Sequence, residues 1–327
     1  MVRYSHGVEL LLVSLCMLTA SCDQSSGYTA SGDLENSRGR INVSVTDAPV
    51  DFAAEVYVQF SGIEFSSSTQ TTTLHFCEDP SDPTQTLAST SPCAKSKPAA
   101  INLLAMNGGS SARLLNNYPL NAGHYDSVRL LIDVAGSNDS YIVLNSRTLP
   151  LPKYELDLPS DAEAGLKLNN GFDIITNGHL DLIIDFDLRK SVRQEGVGVY
   201  KLRPSLRMVN NGQAGFIYGS VFGDKDPALT DPSCTSAVYV YSGWGATTGD
   251  VGSSDGPLTS AVINVNRLDN NDYAYGYRAA FLVAGNYTVA YTCQAAIDNP
   301  GTADNISFLR TVNVTVPVQA GALQNFQ

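Results

Sequence analysis

Short runs in which apolar and polar residues alternate dominate the sequence from residue 41 onwards. The first run, Ile41-Asn42-Val43-Ser44-Val45, places its apolar side chains on one face, as a half-buried strand requires. Clusters of Gly, Pro, Asn and Asp separate the runs, and only residues 99–106 (AAINLLAM) predict a short helix. The pattern predicts an all-β chain built from sandwiches, because strands that are apolar on one face bury it against a second sheet.

Twelve of the runs predict individual strands, and they fall into two series of six. The strands are predicted at residues 41–45, 55–60, 127–133, 141–144, 180–187, 198–203, 215–222, 236–241, 261–265, 273–282, 286–292 and 308–317. Residues 209–214 (VNNGQA) separate the two series. The sequence therefore predicts two prealbumin-like or immunoglobulin-like β-sandwich domains in tandem, at residues 41–208 and 213–320.

The two series share a loose repeat. Residues 120–125 (LNAGHY) and 282–287 (LVAGNY) both read L-x-A-G-x-Y, and each follows an earlier V-Y-V, at 56–58 and 238–240. The pattern predicts a tight turn at the glycine, with the tyrosine starting the next strand. The first series is longer between these landmarks by about the length of residues 77–93, which we interpret as an insertion on a shared plan.

The first forty residues have a different character. Arg3 precedes an apolar run at residues 10–20, which is shorter than the about 20 residues of a membrane-spanning helix. The run and the small residues after it are typical of a signal peptide, predicted at residues 1–21. The end of this segment at Cys22 resembles the lipobox of bacterial lipoproteins. An ordinary cleaved signal is the alternative, since Leu18 stands one place farther from the cysteine than the usual lipobox leucine.

The lipobox resemblance implies that Cys22 is lipidated, with acyl chains such as palmitate anchoring the protein stably to a membrane. Residues 22–40 would then be a lipid-anchored flexible tether, because they carry no hydrophobic period. Asp23 resembles the inner-membrane retention signal of enteric bacteria, a rule that varies between bacterial groups. The choice between inner and outer membrane therefore stays open.

Four cysteines remain after Cys16 leaves with the signal and Cys22 is lipidated. An even number in an exported chain predicts disulfide bonds between Cys77, Cys93, Cys234 and Cys293. Three pairings are open, and Cys77–Cys93 with Cys234–Cys293 is favoured because each pair lies within one predicted domain. A metal site is the alternative, but the sequence has no C-x-x-C or histidine at ligand spacing.

The charge of the chain restricts its partners. The formal net charge is −12 and the isoelectric point is about 4.6. An acidic protein repels phosphate backbones and anionic lipid headgroups. Nucleic acid is therefore not an expected partner, and membrane affinity must come from the acyl anchor.

Five stretches carry a resemblance to a known family. They are residues 46–51 (TDAPVD), the L-x-A-G-x-Y turn with Arg129-Leu130, residues 159–160 with 165–167, residues 185–187 with 190–192, and residues 200–204 (YKLRP). Together they make residues 41–208 resemble the bacterial envelope family known as domain of unknown function 4382. The resemblance implies an exported, often lipidated, prealbumin-like sandwich with no assigned activity. Residues 213–320 resemble the transthyretin-like or carboxypeptidase-regulatory sandwiches, a fold shared with starch-binding modules.

Three carboxylates are candidates for metal binding or catalysis. Asp185 and Asp187 lie two apart on one predicted strand and should share a face, and Asp47 comes from the first loop. With Asp51 they could bind Ca²⁺ or act as the acid and base of a glycosidase. The alternative is structural: Asp47 caps a turn with Pro49, and Asp185 and Asp187 pair with Lys167, Arg189, Lys190 or Arg203.

Aromatic residues suggest a binding surface. Tyr239, Tyr241 and Trp244 cluster near the end of one strand, and residues 273, 275 and 277 are alternating tyrosines on another. An exposed aromatic row can stack on sugar rings, whereas the alternative is that one strand face is core. Residues 252–256 (GSSDG) fit the nucleophile motif G-x-S-x-G, but turn residues and Pro257 surround them, so we predict a loop.

These observations predict a non-enzymatic, lipid-anchored cell-envelope protein that binds or scaffolds, with a polysaccharide or an envelope protein as partner. A glycan-binding module is the sharper form of this prediction. The alternatives are a carboxylate-dependent hydrolase and a calcium-dependent adhesion module. No cofactor is predicted except, in the second alternative, a structural Ca²⁺.

Overall fold

The computed structural model describes residues 37–48, 50–133, 139–158, 165–221, 231, 233–267 and 273–326, with side chains described for these residues except 265–267, 273 and 274. The predicted signal peptide, Cys22 and the tether up to residue 36 lie outside the described residues, as does Pro49. The described residues all belong to one compact unit, residues 36–327. No helix among the described residues is long and apolar enough to cross a membrane.

Sixteen strands and two short helical turns build the first sandwich. They are β1 Arg38–Ala48, β2 Ala53–Ser66, β3 Thr71–Glu78, β4 Thr86–Ser89, β5 Ala99–Asn102, a 3₁₀ turn Leu103–Met106, β6 Ala112–Asn121, β7 Gly123–Tyr125, β8 Ser127–Ile132, β9 Tyr141–Leu144, β10 Lys153–Asp157, β11 Leu166–Leu168, β12 Phe172–Ile174, β13 His179–Asp187, α1 Leu188–Ser191, β14 Val192–Gly196, β15 Val199–Leu202 and β16 Leu206–Asn210.

These strands form two facing sheets and one small pair. The first sheet has the order β16-β13-β1-β6, in which β1 and β13 are parallel. The second follows the order β11-β8-β2-β9-β10-β15-β14, with β3 and β5 also paired to β2 and β4 paired to β3, while β12 pairs with β7. The core between the sheets joins residues such as Val43 and Phe186 of the first to Phe60 of the second, all fully buried.

Eight strands build the second sandwich, after a 3₁₀ turn at Asn211–Gln213. They are β17 Ala214–Val221, β18 Ala237–Ser242, β19 Thr259–Val262, β20 Asn264–Arg267, β21 Tyr273–Val283, β22 Gly285–Thr292, β23 Phe308–Val316 and β24 Gly321–Leu323. Their sheets have the orders β20-β21-β17-β24 and β19-β18-β22-β23, and they enclose a hydrophobic core of their own. Separate cores agree with the predicted two-domain division, which stays a prediction because both sandwiches belong to one compact unit.

The two sandwiches follow a common plan. In the first, β1 is antiparallel to β6 and parallel to β13, while in the second β17 is antiparallel to β21 and parallel to β24. The facing sheets share the orders β2-β8-β11 and β18-β22-β23. In the repeated L-x-A-G-x-Y turn, Tyr125 Oη donates to the carbonyl of Asn121 (3.0 Å) and Tyr287 Oη donates to that of Val283 (2.5 Å). The weak sequence repeat thus marks equivalent corners of two related sandwiches.

Both disulfides have the pairing that the sequence favours. Cys77 bonds to Cys93, with 5.2 Å between their Cα atoms, and Cys234 bonds to Cys293, with 4.7 Å. The first closes the predicted insertion, whose strand β4 pairs only with β3 at the edge of the large sheet. An insertion with so little apolar surface gains its order from the crosslink and this hairpin.

All twelve predicted strands are present, although the run at 261–265 is divided between β19 and β20. The predicted helix at 99–106 is wrong over its first half. Residues 99–102 pair as β5 with Tyr57–Phe60 of β2, and only residues 103–106 form a helical turn. The open edge of β2 supplies backbone partners that outweigh the modest helix propensity of the segment.

Candidate functional site

The parallel pairing of β1 and β13 brings the three candidate carboxylates together. Thr46 lies opposite Asp185, and Ala48 lies opposite Asp187, so Asp47 is next to both. Asp47, Asp185 and Asp187 are all less than a tenth exposed. The sequence therefore predicted their proximity correctly, but their partners assign them a different role.

Two of the carboxylates bind basic residues that reach the second sandwich. Arg207 Nε donates to Asp185 Oδ2 (2.7 Å), and the same guanidinium donates to the carbonyls of Ala280 (3.2 Å) and Phe281. Lys190 Nζ lies 3.4 Å from Asp187 Oδ2 and also donates to the carbonyl of Pro257. Each ion pair thus joins a strand of the first sandwich to a backbone carbonyl of the second.

The ion pairs Arg207–Asp185 and Lys190–Asp187 form a junction between the two sandwiches, and Arg189 completes it. The turn α1 places it there because Asp187 caps the turn, accepting a hydrogen bond from Lys190 N (3.2 Å). Arg189 is 4% exposed; its guanidinium lies 2.7 Å from Asp51 Oδ2 and donates to Ser260 Oγ (3.2 Å) and the Ala295 carbonyl (3.0 Å). Burial lowers its pKa, but Asp51, Tyr239 and Asp187 together outweigh this effect, so the pKa is raised and the guanidinium stays charged.

Asp47 is the carboxyl without a basic partner. Leu188 N donates to its Oδ1 (3.2 Å), whereas its Oδ2 is buried with no hydrogen-bond partner among the described residues. Burial raises the pKa of Asp47 well above its usual value, and the neighbouring Asp185 raises it further. Burial also raises the pKa of Asp187, against the opposing effect of Lys190. Asp51, Asp185 and Asp187 form ion pairs with the three basic residues of the junction, which leaves Asp47 without an ion pair.

The junction does not have the shape of a catalytic cleft. The cavity lined by Asp47 and Asp185 has a volume of about 20 Å³, which is room for about one water molecule and not for a sugar ring. Nor do Asp47, Asp185 and Asp187 form, among the described residues, a set of three ligand atoms within 4.8 Å of one another. These contacts favour the structural interpretation of all three residues over the metal-binding and catalytic ones.

A different acidic group has the closer spacing. One carboxylate oxygen from each of Asp250, Asp298 and Asp304 lies within 4.8 Å of the others, in two loops of the second sandwich. Tyr239 Oη donates to Asp298 (2.6 Å), and Asp304 N donates to Asp250 (2.7 Å). Burial raises the pKa of Asp298. Carboxylate oxygens are calcium ligands, but these are already used as hydrogen-bond acceptors that clamp the two loops. The sequence missed the group because Asp250 is distant from the other two along the chain.

The aromatic row is mostly core, and this prediction needs correction. Tyr239 is fully buried and Tyr241 is 3% exposed, so neither can stack on a ligand. Tyr275 and Tyr277 are buried as well. Both faces of strand β18 are buried, because loops of the second sandwich cover its outer face and form a separate small core with it.

Trp244 differs from its neighbours because it is 60% exposed. It lies between Gly243 and Gly245, whose φ angles of 92° and 64° are in the left-handed region that favours glycine. Gly243 N donates to the carbonyl of Asn286 (2.8 Å), and the buried Thr288 Oγ1 donates to the carbonyl of Gly243 (2.8 Å). The tryptophan is therefore presented to solvent by a loop that the sheet holds firmly.

Two further contacts of backbone N–H groups complete this loop. Gly245 N donates to Asn313 Oδ1 (3.0 Å), and Ala246 N donates to Thr288 Oγ1 (3.0 Å). Asn286 and Asn313 are both exposed, so amide groups lie on the two strands that hold the tryptophan loop. An exposed indole beside amides offers both a stacking surface and hydrogen-bond donors.

The G-x-S-x-G segment is a turn, as predicted. Residues 251–255 form tight turns, without the strand and helix that a catalytic serine elbow requires. His124 and His179, which bond to Asp173 and Asn42, lie in the first sandwich. The described residues therefore give Ser254 no histidine base.

Fold and junction together define an all-β protein of two related sandwiches, locked by buried ion pairs and crosslinked by two disulfides. Residues 38–204, just over half of the 327 residues, match the family described as Domain of unknown function (DUF4382). The chain belongs to that family. The match includes Asp47, Asp185 and Lys190, which belong to the stretches that carry the resemblance and lie at the junction.

Comparison with other proteins adds little about function. No curated protein matches the chain. Among solved structures, a candidate adhesin from Bacteroides ovatus is 9% identical, with 95% of this chain and 94% of that chain covered and a TM-score of 0.21. A second candidate adhesin from the same species is 10% identical, with 84% and 77% covered and a TM-score of 0.19. A leucine-rich repeat protein from Bacteroides thetaiotaomicron is 12% identical at a TM-score of 0.20; 89% of this chain is covered, but only 26% of that protein. TM-scores this low carry no inference.

Proposed function

We propose that the protein is an exported, lipid-anchored, non-enzymatic component of a bacterial cell envelope, and that it binds glycan through Trp244. The N-terminal apolar run that precedes Cys22 and the two disulfides support export, because disulfides persist in oxidising compartments. The rigid loop that holds the chain's only tryptophan in water carries the binding part of the proposal.

The chemistry of Trp244 suits a sugar ring. An indole has a large flat face that stacks on the C–H face of a pyranose, and an anchor that is rigid before binding loses little entropy when it binds. Asn286 and Asn313 on the adjoining strands offer amide groups to sugar hydroxyls. Tyrosines 239 and 241 take no part, since they are buried.

A binding role is favoured over a hydrolase because the candidate acids are used elsewhere. Asp185 and Asp187 are paired with Arg207 and Lys190, and the cavity beside Asp47 is too small for a sugar. Catalysis by these groups would need the two sandwiches to separate, at the cost of the buried ion pairs between them.

The anchor is tested by metabolic labelling with palmitate in a bacterial host. We expect the wild-type chain to incorporate label and to sediment with membranes, and Cys22→Ala to lose both properties. Cys16→Ala is the matched control, because that cysteine lies within the predicted signal peptide and should not alter lipidation. An unlabelled wild-type protein would disprove the anchor.

Binding is tested through the tryptophan itself. Because Trp244 is the only tryptophan, the intrinsic fluorescence of the protein reports its environment directly. We expect a blue-shifted emission on titration with a bound polysaccharide, and loss of retention in affinity electrophoresis for Trp244→Ala but not for Trp244→Phe. Tyr218→Ala removes an aromatic that is 41% exposed on β17 and is the control. If no neutral or acidic polysaccharide shifts the emission, or if Trp244→Ala binds like the wild type, the glycan proposal is wrong.

A further inference from the structure

A groove of about 580 Å³ opens beside the end of the first sandwich, within the usual size range of ligand sites. Strand β12, the start of β13 and strand β16 form most of its wall, and Gln213 and Val283 of the second sandwich close it. It is distinct from the small junction cavity, since the two share no lining residue.

Arg40 is the cation of this groove. It is exposed, and its Nη1 donates only to the carbonyl of Asn117 (3.0 Å), with no carboxylate in ion-pair contact among the described residues. Its register neighbour on the parallel strand is His179, whose Nε2 lies 2.9 Å from Asn42 Nδ2. The guanidinium of Arg40 therefore has N–H donors available to an anionic ligand, in a chain of net charge −12.

The remaining wall combines amides and aliphatic side chains with one carboxylate, Asp173, whose Oδ1 lies 2.9 Å from His124 Nδ1. Asn170, Asn210 and Gln213 contribute the amides, and Ile175 and Val283 contribute aliphatic surface at 72% and 48% exposure. A sugar presents hydroxyl groups around its rim and C–H groups on its faces. The mixed wall therefore suits a saccharide better than it suits a purely apolar ligand.

The groove and the Trp244 loop lie at the same end of the second sandwich. Val283, in the groove wall, and Asn286, whose carbonyl accepts from Gly243 N (2.8 Å), flank the tight turn by which the chain passes from β21 in one sheet to β22 in the other. A polymer that stacks on Trp244 can therefore continue towards Arg40.

We propose that this groove binds a uronic acid residue of an acidic polysaccharide, with Arg40 pairing the sugar carboxylate. The proposal rests on the glycan-binding function and adds to it a charge requirement and a second subsite. A guanidinium matches the geometry of a carboxylate through paired N–H donors, and at physiological salt the distant acidic residues are screened beyond about 8 Å.

The test compares tri-galacturonate with its fully methyl-esterified form by isothermal titration of the full-length lipoprotein in detergent. We expect the wild type to bind the acid at least about 10-fold more tightly than the ester, as loss of a charge-assisted hydrogen bond implies. Arg40→Gln should bring this ratio close to one, because it weakens binding of the acid much more than binding of the ester. Arg40→Lys should restore part of the ratio, since it restores the charge without the paired donors.

Arg113→Gln is the matched control, because Arg113 is a part-exposed arginine of the adjoining strand β6 that already faces Asp181 at 3.7 Å. It should keep the wild-type ratio. Equal binding of acid and ester by the wild type, a ratio that survives Arg40→Gln, or no binding of either compound overturns the proposal. If the ester still shifts the Trp244 emission in those cases, only the uronate inference fails; if no glycan shifts it, the proposed function fails as well.

Discussion

Replacement of Asp47 by asparagine should make the protein more stable at neutral pH. Asp47 is buried, its Oδ2 has no hydrogen-bond partner among the described residues, and Asp185 lies close enough to raise its pKa further. At neutral pH the folded protein must either hold a buried charge there or take up a proton that the unfolded chain does not hold. Both cost free energy, and asparagine removes the cost.

The sign follows from proton linkage. The folded pKa of Asp47 is raised above its ordinary value of 3.8, so between these two values the folded state holds more protons than the unfolded state. The contribution of Asp47 to the free energy of unfolding is therefore largest at and below pH 3.8, and it falls as pH rises from 3.8 to the folded pKa. One proton corresponds to a slope of at most about 1.4 kcal/mol per pH unit.

Asparagine is a conservative probe because its Oδ1 can still accept the hydrogen bond from Leu188 N. The free energy of unfolding of Asp47→Asn minus that of the wild type should rise with pH at up to about 1.4 kcal/mol per unit and then level off above the folded pKa. Below pH 4 the difference should be small and constant. Asp298, whose pKa is also raised, contributes equally to both proteins and cancels, whereas the interaction of Asp187 with Asp47 is part of the measured difference.

The assay is urea denaturation at a series of pH values from about 4 to 8, followed by circular dichroism, with midpoint and slope compared at each pH. Asp157→Asn is the control, because Asp157 is exposed on β10. Stability curves of wild type and Asp47→Asn that stay parallel across the whole range would refute the buried-proton argument.

Three further predictions concern the junction, the crosslinks and the acidic loops. Arg189→Met should lower the free energy of unfolding by about 3–5 kcal/mol, because it leaves Asp51 and the Ala295 carbonyl without their cation. Arg147→Met, at an exposed arginine, should change the free energy of unfolding little. Equal urea midpoints for the two variants would contradict a stabilising role of Arg189 between the sandwiches. Replacing Cys234 and Cys293 by serine should destabilise the protein by about 1 kcal/mol more than replacing Cys77 and Cys93, because the two disulfides close sequence separations of 59 and 16 residues. The reverse order of Tm would show that chain entropy is not the cause. Treatment with EDTA should leave Tm unchanged, because Asp250, Asp298 and Asp304 already accept hydrogen bonds; a fall in Tm that Ca²⁺ restores would show a metal there.

Local features of the chain were predictable. The alternation of residues 41–45 and 286–292 identifies strands because side chains of a strand point to opposite faces at every second residue, whatever lies above them. The repeated L-x-A-G-x-Y segment identified equivalent turns for the same local reason. The strands that escaped prediction are mostly short, such as β7 and β12, where three residues are too few to show a period.

The environment of a side chain was not predictable in the same way. Residues of β18 alternate between valine and tyrosine, and nothing in that pattern reveals that loops cover the outer face, so that Tyr239 and Tyr241 are buried while Trp244 is exposed. The sequence offered Arg189 and Lys190 as ion-pair partners, but not the contact of Arg207 with Asp185 or the carbonyls beyond it.

By itself, the sequence determined that the chain is all-β, where most long strands run, which residues resemble the family, and which cysteines could pair. The tertiary structure alone decided that the family's acidic and basic residues hold two sandwiches together, and that one aromatic residue of three is left in water. Strand formation depends on neighbours along the chain, whereas burial and charge pairing depend on segments brought together from more than a hundred residues away, such as Arg189 and Ala295.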